Sequence, residues 1–139
     1  SLEHHLAHIF LESNILYEEQ VITEDRKRPD FLFPSGAAYH NLLFPADNLT
    51  FLGAKTTCKD RWRQVLNEAN RIDVKYLFTL QPSISVNQLN EMKKEKVVLV
   101  IPEDNRESFD ARYRKELLSL KQFVSMVREK QDRHFPCLH

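Results

Sequence analysis

The sequence predicts an α/β protein with a mixed β-sheet that is flanked by helices on both faces. Segments with helical and with strand patterns alternate along the 139 residues, which is typical of this class. The run KVVLVI over 96–101 is continuously apolar, as in a strand that is covered on both faces. The chain has two glycines in all, which excludes a glycine-rich phosphate-binding loop.

Length and composition indicate a single domain of ordinary globular character, with 42% hydrophobic and 29% charged residues. Twenty basic and 20 acidic residues give a net charge of zero, so an argument for nucleic acid binding must rest on a local patch. No apolar run approaches the ~20 residues of a membrane span. Cys58 and Cys137 match no zinc spacing and are expected to be free thiols. We therefore expect a cytoplasmic protein with no membrane partner.

The first third of the chain is predicted to contain a helix and one clear strand. Leu2, Leu6, Ile9 and Phe10 mark one face of a helix over 1–13. An extended stretch is expected near 16–23, followed by a solvated charged turn, EDRKR, at 24–28. The strand PDFLF at 29–33 is bounded by prolines, and a loop is expected after it, up to residue 48.

The rest of the chain continues the alternation of strands and helices. LTFLGAK (49–55) and VKYLFTL (74–80) are predicted strands, and the period between them becomes helical from about Thr57. Ser85 and Gln88 have the spacing of a capping box, which predicts a helix there. A mostly helical tail is expected over 106–130. Two apolar helix faces are predicted: Trp62, Val65, Leu66, Ala69 and Ile72 on the first; Leu117, Leu118, Leu120, Phe123, Val124 and Val127 on the second.

Three side chains have the chemistry of a metal-dependent phosphodiesterase. Asp30 and Lys55 lie at the ends of predicted strands, and Glu68 lies on the helix that follows. Two carboxylates can hold a hard cation such as Mg²⁺, and a lysine can activate a water or neutralise charge that develops on a phosphate. On spacing alone, solvated surface charges are the more common explanation for these three residues.

The residues around these three positions resemble a known nuclease signature. "RPDF", followed by "GAK" with Lys55 25 positions after Asp30, resembles the PD-(D/E)XK pattern, except that the second acidic position is not acidic here. In one branch of that superfamily the carboxylate comes from the next helix, and Glu68 stands thirteen residues after Lys55. "KTTCKDRWRQVLNEA" is similar to the type II restriction endonucleases of the EcoRII, SsoII and PspGI group, above all to the EcoRII C-terminal catalytic domain.

The resemblance implies a restriction-endonuclease-like fold and a single catalytic nuclease domain over 1–139, which we expect to be the C-terminal part of a longer chain. It implies that Asp30 and Glu68 are ligands of Mg²⁺ and that Lys55 is the catalytic lysine. Tyr39 and Glu3 resemble further catalytic positions of the group. The implied partners are double-stranded DNA and a second copy of the chain, because a near-palindromic site needs two active sites.

A recognition segment is implied at the start of the helix after Lys55. Lys59, Asp60, Arg61 and Arg63 resemble the segment that reads a paired GG/CC element in this group. Arginine and lysine can donate to guanine, and aspartate can accept from cytosine in the major groove. Arg63, together with Lys75, is also interpreted as a phosphate contact or a solvated charge. Trp62 is predicted to belong to the core, since it leads the apolar face.

The leading hypothesis is a Mg²⁺-dependent, sequence-specific DNA endonuclease of the type II restriction kind that cuts at a short site containing CC and GG. One alternative keeps the fold but lacks sequence specificity, as in a repair or junction-resolving nuclease. Another is a DNA-binding module without catalysis. A separate hypothesis concerns His4 and His8, whose i, i+4 spacing on one helix could bind zinc.

Overall fold

A computed structural model describes residues 1–59 and 61–135 of the chain. Its helices are α1 (Leu2–Glu12), α2 (Gly36–His40), α3 (Val86–Lys94) and α4 (Leu120–His134). Its strands are β1 (Glu18–Glu19), β2 (Phe31–Phe33), β3 (Thr50–Lys55), β4 (Lys75–Thr79), β5 (Val97–Ile101) and β6 (Leu118–Ser119). Short 3₁₀ helices lie at Glu24–Arg26, Ala46–Asn48, Arg61–Asn67, Glu103–Ser108 and Arg114–Glu116.

The strands form one mixed sheet in the order β1-β2-β3-β4-β5-β6. The β1–β2 and β2–β3 pairs are antiparallel, whereas β3, β4, β5 and β6 run parallel to one another. Because β2 and β3 are antiparallel, the residue before β2 lies beside the end of β3. This topology brings Asp30 to the same edge of the sheet as Lys55.

Helices cover both faces of the sheet, as predicted. Neighbouring residues of one strand belong to opposite apolar clusters, as Leu77 and Phe78 do in β4, because side chains alternate across a sheet. One cluster packs the sheet against α1 and α4, and contains Leu6, Phe10, Phe31, Phe33, Leu52, Phe123 and Val127. The other packs it against α3 and the segment after β3, and contains Leu32, Phe51, Trp62, Val65, Leu89, Met92 and Leu99.

Several predicted elements are confirmed. Helix α1 and strands β2 to β5 lie within the predicted ranges or differ from them by a residue or two. The hydroxyl of Ser85 accepts a 3.3 Å hydrogen bond from the backbone N–H of Gln88, which caps α3 as its spacing predicts. Trp62 is a core residue, with 1% of its surface exposed. The extended stretch near 16–23 pairs only at Glu18–Glu19, and Gln20 then adopts φ = 54°.

The predicted helix after Thr57 is wrong in type. The structure has a 3₁₀ helix over Arg61–Asn67, flanked by three-residue turns such as the 3.0 Å bond from Ile72 N–H to the Ala69 carbonyl. The apolar positions come in pairs three residues apart, a spacing that a 3₁₀ helix satisfies as well as an α-helix does. The predicted apolar face is still buried, with Leu66 partly so.

Two further segments differ from the prediction. The expected loop after β2 contains α2, which begins because the Ser35 hydroxyl accepts from the Ala38 N–H at 3.1 Å. The tail is α-helical only from Leu120, where Ser119 and Gln122 form a capping box, and two short 3₁₀ helices precede it. Before α4, Arg106 donates to the carbonyls of Arg114 and Leu117, each at 2.8 Å, so this side chain links the two 3₁₀ helices of the segment. Among the helices in residues 1–59 and 61–135, none is long and apolar enough to cross a membrane.

Candidate active site

Asp30 lies directly before β2 and both of its carboxylate oxygens are held. The Ala54 N–H, on the neighbouring β3, donates to Asp30 Oδ2 at 2.8 Å. Gln20 Nε2 donates to Asp30 Oδ1 at 3.4 Å, and the Gln20 N–H donates to the Asp30 carbonyl at 3.3 Å. The carboxylate is therefore held at the sheet edge by Ala54 of β3 and by Gln20, which directly follows β1.

Lys55 is the last residue of β3 and faces two carboxylates. It pairs with Thr79 of the parallel strand β4, and its side chain is half-buried. Burial raises the pKa values of both Asp30 and Glu68, and the Lys55 charge opposes the rise in each, which requires the ammonium to lie near both carboxylates. Its position at the strand end thus follows from the sheet register, and its partners come from two other segments.

Glu68 follows the 3₁₀ helix and completes the cluster. Burial raises the pKa of Glu68, and the Asp30 charge raises it further, while the charges of Lys55, Lys27 and Lys75 lower it. Burial also raises the pKa of Asp30; the Ala54 hydrogen bond and Lys55 oppose this effect. Two half-buried carboxylates that repel each other beside a lysine are a site suited to a cation.

The donor set of this cluster fits Mg²⁺. Within residues 1–59 and 61–135, no three or more His, Cys, Asp and Glu side chains are grouped so that protein ligands alone could hold a metal. Mg²⁺ commonly binds through one or two carboxylates and keeps water and substrate phosphate as its other ligands. Asp30 and Glu68 match that requirement, because both offer oxygen ligands. Burial also disfavours the charged form of each carboxylate, and a bound cation would offset that cost.

Glu3 approaches the cluster from α1. It lies on the first turn of the helix, and its charge raises the pKa of Asp30. Its carboxylate is therefore near enough to add negative charge to the site, as the resemblance implies. A catalytic role for Glu3 stays a prediction.

Tyr39 belongs to a neighbouring buried network and not to the Asp30–Lys55 pair. Its hydroxyl donates to the Glu24 carboxylate at 2.6 Å and accepts from the Arg71 N–H at 3.3 Å. Burial and the Glu24 hydrogen bond raise the pKa of Tyr39 to about 12, so the phenol stays neutral at ordinary pH. The Arg71 guanidinium lies 5.6 Å from the Tyr39 ring centroid and donates to the Phe44 carbonyl at 2.7 Å. A catalytic role for Tyr39 likewise stays a prediction.

The predicted recognition segment lies at the start of the 3₁₀ helix over Arg61–Asn67. Lys59 and Arg61 are exposed, and the Lys59 carbonyl accepts a hydrogen bond from Gln88 Nε2. Arg63 is half-exposed; it forms an ion pair with Glu91 and lies 4.5 Å from the Trp62 ring centroid. Asp60 lies outside the described residues. Lys59 and Arg61 therefore present their charges to solvent a few residues after Lys55, whereas Arg63 already has partners within the chain.

Lys75 is a structural residue, which corrects its interpretation as a phosphate contact or a solvated charge. It is 4% exposed, and its ammonium donates to the carbonyls of Ala69 and Ile72. Burial lowers the pKa of Lys75, and the charges of Asp73, Glu24 and Glu68 oppose that shift. The sequence offered no signal of this role, because a lysine at the start of a strand is usually solvated.

The histidines of α1 and the two cysteines are the remaining residues for which the sequence made predictions. The structure does not support a zinc site at His4 and His8: both are exposed, His8 Nε2 lies 2.9 Å from Glu12, and no metal-ligand group is found in the described ranges. Cys58 is a buried free thiol whose pKa is raised by burial. Cys137 lies outside the part of the chain that the structure describes.

Sequence reasoning missed four residues around the site. The turn at 24–28, predicted to be solvated, places the Glu24 carboxylate in the Tyr39 network and the Lys27 charge near Glu68. Thr23 donates to the Glu68 carbonyl, and Gln20 holds Asp30. Short polar segments show no periodicity, so nothing in the sequence distinguishes these residues from surface positions.

Comparison with known proteins shows which family this chain is similar to. The family described as EcoRII C terminal matches residues 1–124. The type II restriction enzyme EcoRII of Escherichia coli is 48% identical over 126 residues, which cover 90% of this chain and 31% of that enzyme. The type II restriction enzyme SsoII of Shigella sonnei is 36% identical over 61 residues, 42% of this chain and 20% of that enzyme. The chain thus spans about a third of the length of EcoRII.

Solved structures confirm the predicted restriction-endonuclease-like fold. Metal-depleted Ecl18kI in complex with uncleaved DNA has a TM-score of 0.79 at 24% identity and covers 97% of this chain and 45% of that one. Metal-depleted Ecl18kI with uncleaved, modified DNA has a TM-score of 0.81 at 25% identity over 96% of this chain and 45% of that one. With a family match over 124 of 139 residues, the chain belongs to the EcoRII C-terminal family.

Proposed function

We propose that residues 1–139 form the catalytic domain of a Mg²⁺-dependent, sequence-specific DNA endonuclease of the type II restriction kind. One observation carries the proposal: the Lys55 charge acts on both Asp30 and Glu68, and the Asp30 charge acts on Glu68, although the three residues lie far apart in the sequence. The family membership and the DNA-bound structural neighbours support DNA as the substrate.

Asp30 and Glu68 are the residues that would hold Mg²⁺. When bound, the ion would polarise a phosphoryl oxygen and lower the pKa of a water. Asp30 is pre-positioned for this role, because the Ala54 N–H and Gln20 leave its carboxylate little freedom to rotate. The mutual repulsion of Asp30 and Glu68 favours a cation between them over two free anions.

Lys55 supplies the positive charge of the protein at the reacting phosphate. Its ammonium is half-buried beside both carboxylates, where a charge acts more strongly than in bulk water. It can orient the attacking water through a hydrogen bond and stabilise the negative charge that develops on the phosphate. Hydrolysis leaves the phosphate on one strand end and a hydroxyl on the other.

Specificity is assigned to the segment after Lys55, in which Lys59 and Arg61 are exposed. Lys59, Asp60 and Arg61 have the donor and acceptor types that read guanine and cytosine, which supports a short target that contains CC and GG. The segment starts four residues after Lys55, so base contacts and the cut phosphate would lie close together. Cutting both strands requires two such sites, and we therefore propose a homodimer.

The test is a Lys55→Ala variant assayed on plasmid DNA that carries candidate CC/GG sites. With Mg²⁺, the variant is expected to lose cleavage, and with Ca²⁺ it is expected to retain binding in a gel-shift assay. Lys94→Ala, at an exposed lysine on α3, is the matched control and should cleave like the parent. Persistent cleavage by Lys55→Ala would remove Lys55 from the mechanism.

Sequencing the fragment ends separates the proposal from its alternatives. Ends at one repeated sequence support a restriction endonuclease. Ends scattered over the plasmid would indicate a non-specific nuclease of the same fold, and specific binding without any cleavage would indicate a DNA-binding module.

A further inference from the structure

The turn that precedes Asp30 has a defined conformation. The Thr23 N–H donates to the Lys27 carbonyl at 2.9 Å, and the Lys27 N–H donates to the Glu24 carbonyl at 3.0 Å. Asp25 and Arg26, between them, adopt φ values of 55° and 59°, a region that L-residues visit rarely. Surrounding contacts must therefore hold this turn in place.

Those contacts are made with the backbone that carries Glu68. The Thr23 hydroxyl, in a residue that is 7% exposed, donates to the Glu68 carbonyl. Two residues further on, the Asn70 N–H donates to Glu24 Oε1 at 3.3 Å. The turn thus binds the carbonyl of the residue before Ala69 and the amide of the residue after it. Ala69 itself is fully buried.

Tyr39 and Arg71 extend this hydrogen-bond network to α2. Tyr39 donates to Glu24 and accepts from the Arg71 N–H, so the same carboxylate links α2 to the Glu68 segment. The Arg71 side chain then returns to α2 through the carbonyls of Ala38 and Tyr39.

These anchors matter because no α-helix holds Glu68. The 3₁₀ helix ends at Asn67, and the Glu68 N–H makes a three-residue turn to the Val65 carbonyl at 3.2 Å. A carboxylate on such a segment points in a direction that long-range hydrogen bonds must define. Without them, the distance between Glu68 and the Asp30–Lys55 pair would vary.

We propose that Thr23 and Glu24 are positioning residues that orient the Glu68 carboxylate toward Asp30 and Lys55. The inference rests on the proposed function, since it assigns Glu68 to the metal site. Both residues act through the segment that carries Glu68, and neither is assigned a contact with the metal or with DNA. Their effect is on the affinity of the site for a divalent cation and, through it, on the rate of cleavage.

The test compares Thr23→Val, which removes the hydroxyl at nearly constant shape, with Thr23→Ser, which retains it. Mn²⁺ binding to the protein without DNA is measured by isothermal titration calorimetry, and single-turnover cleavage is measured against Mg²⁺ concentration. Thr23→Val is expected to weaken Mn²⁺ binding by about 10- to 100-fold and to shift the cleavage curve to higher Mg²⁺. Thr23→Ser should remain within about twofold of the parent.

Thermal unfolding of each variant separates positioning from a general loss of structure. If Thr23→Val does not fold, Glu24→Gln is the variant that tests the inference. It removes one of the two acceptor oxygens of Glu24 with no change in size. It should weaken Mn²⁺ binding, as Thr23→Val is expected to do. A folded Thr23→Val or Glu24→Gln protein with parental Mn²⁺ affinity and parental cleavage would overturn the inference.

The two proposals fail in different ways. If the parent protein binds Mn²⁺ but cleaves no DNA, while Thr23→Val binds Mn²⁺ weakly, the nuclease assignment fails and the positioning role stands. If the parent cleaves and the variants match it in both measurements, the positioning role fails alone.

Discussion

The backbone N–H of Ala54 donates to the Asp30 carboxylate across the β2–β3 pair at 2.8 Å. This bond joins the residue before one strand to the penultimate residue of the next, one position before Lys55. The acid and the lysine are therefore coupled through the sheet, and a change at Asp30 affects both charge and backbone pairing.

Asp30→Asn and Asp30→Ala are expected to separate these two effects. Both should abolish Mg²⁺-dependent cleavage, because both remove the anionic oxygen. Asp30→Asn keeps an acceptor for the Ala54 N–H and should unfold near the parental temperature. Asp30→Ala leaves a buried donor unsatisfied and should lower the free energy of unfolding by about 1–3 kcal/mol. Cleavage assays and urea titrations measure the two quantities; equal stabilities would show that the hydrogen bond contributes little.

Arg61→Ala and Arg63→Ala are expected to differ in DNA recognition. Arg61 is exposed a few residues after Lys55, so its removal should weaken binding to the cognate site by about 1–3 kcal/mol and leave non-specific binding nearly unchanged. Arg63 is paired with Glu91, so Arg63→Ala should change both affinities by a smaller and similar amount. Gel shifts in Ca²⁺ with cognate and scrambled duplexes provide the comparison. Unaltered discrimination by Arg61→Ala would exclude it from base readout.

Lys75→Met is expected to destabilise the fold by about 1–3 kcal/mol, because the carbonyls of Ala69 and Ile72 lose a charged donor in a buried environment. The measurement is chemical unfolding at neutral pH. Lys121→Met, at an exposed lysine on α4, is the control and should change stability by less than about 0.5 kcal/mol. A neutral Lys75→Met would mean that the site relaxes or admits water.

Cys58 is expected to resist thiol reagents in the folded protein. Burial raises the pKa of its thiol, so the native thiol keeps its proton to a higher pH than the unfolded thiol, which ionises at about pH 8.5. Stability that comes from this difference is fully present below about pH 8.5 and is lost as the pH rises toward the higher folded pKa. In a Cys137→Ser background, alkylation at pH 8 should require unfolding. Rapid alkylation of the native protein would contradict the buried position.

Gly36→Ala is expected to lower stability by about 1–3 kcal/mol through overpacking. A Cβ at this position would stand 2.7 Å from Val21 Cγ1 and 3.0 Å from its Cγ2, which is closer than carbon atoms pack. Ala37→Ser, on the exposed side of the same helix, is the matched control and should be nearly neutral. Thermal unfolding decides, and a Gly36→Ala protein as stable as the control would show that Val21 can move.

The sequence by itself determined the elements that depend on local pattern. The apolar run at 96–101, the stripe of α1, the Ser85 cap and the strand before Lys55 each reflect side chains close together in the chain, so their period or spacing was sufficient. The trio of Asp30, Lys55 and Glu68 was predicted from a spaced motif, and the antiparallel pairing of β2 and β3 explains why Asp30 lies near Lys55.

Only the tertiary structure decided the features that depend on distant partners. The role of the turn at Thr23 follows from hydrogen bonds to residues 45 and 46 positions away. The burial of Lys75 follows from the packing of β4 within the sheet, where the lysine is 4% exposed. A polar side chain looks the same in a sequence whether it meets water or a buried carbonyl. The difference lies in the desolvation of that group, which exists only once the sheet and its helices have packed.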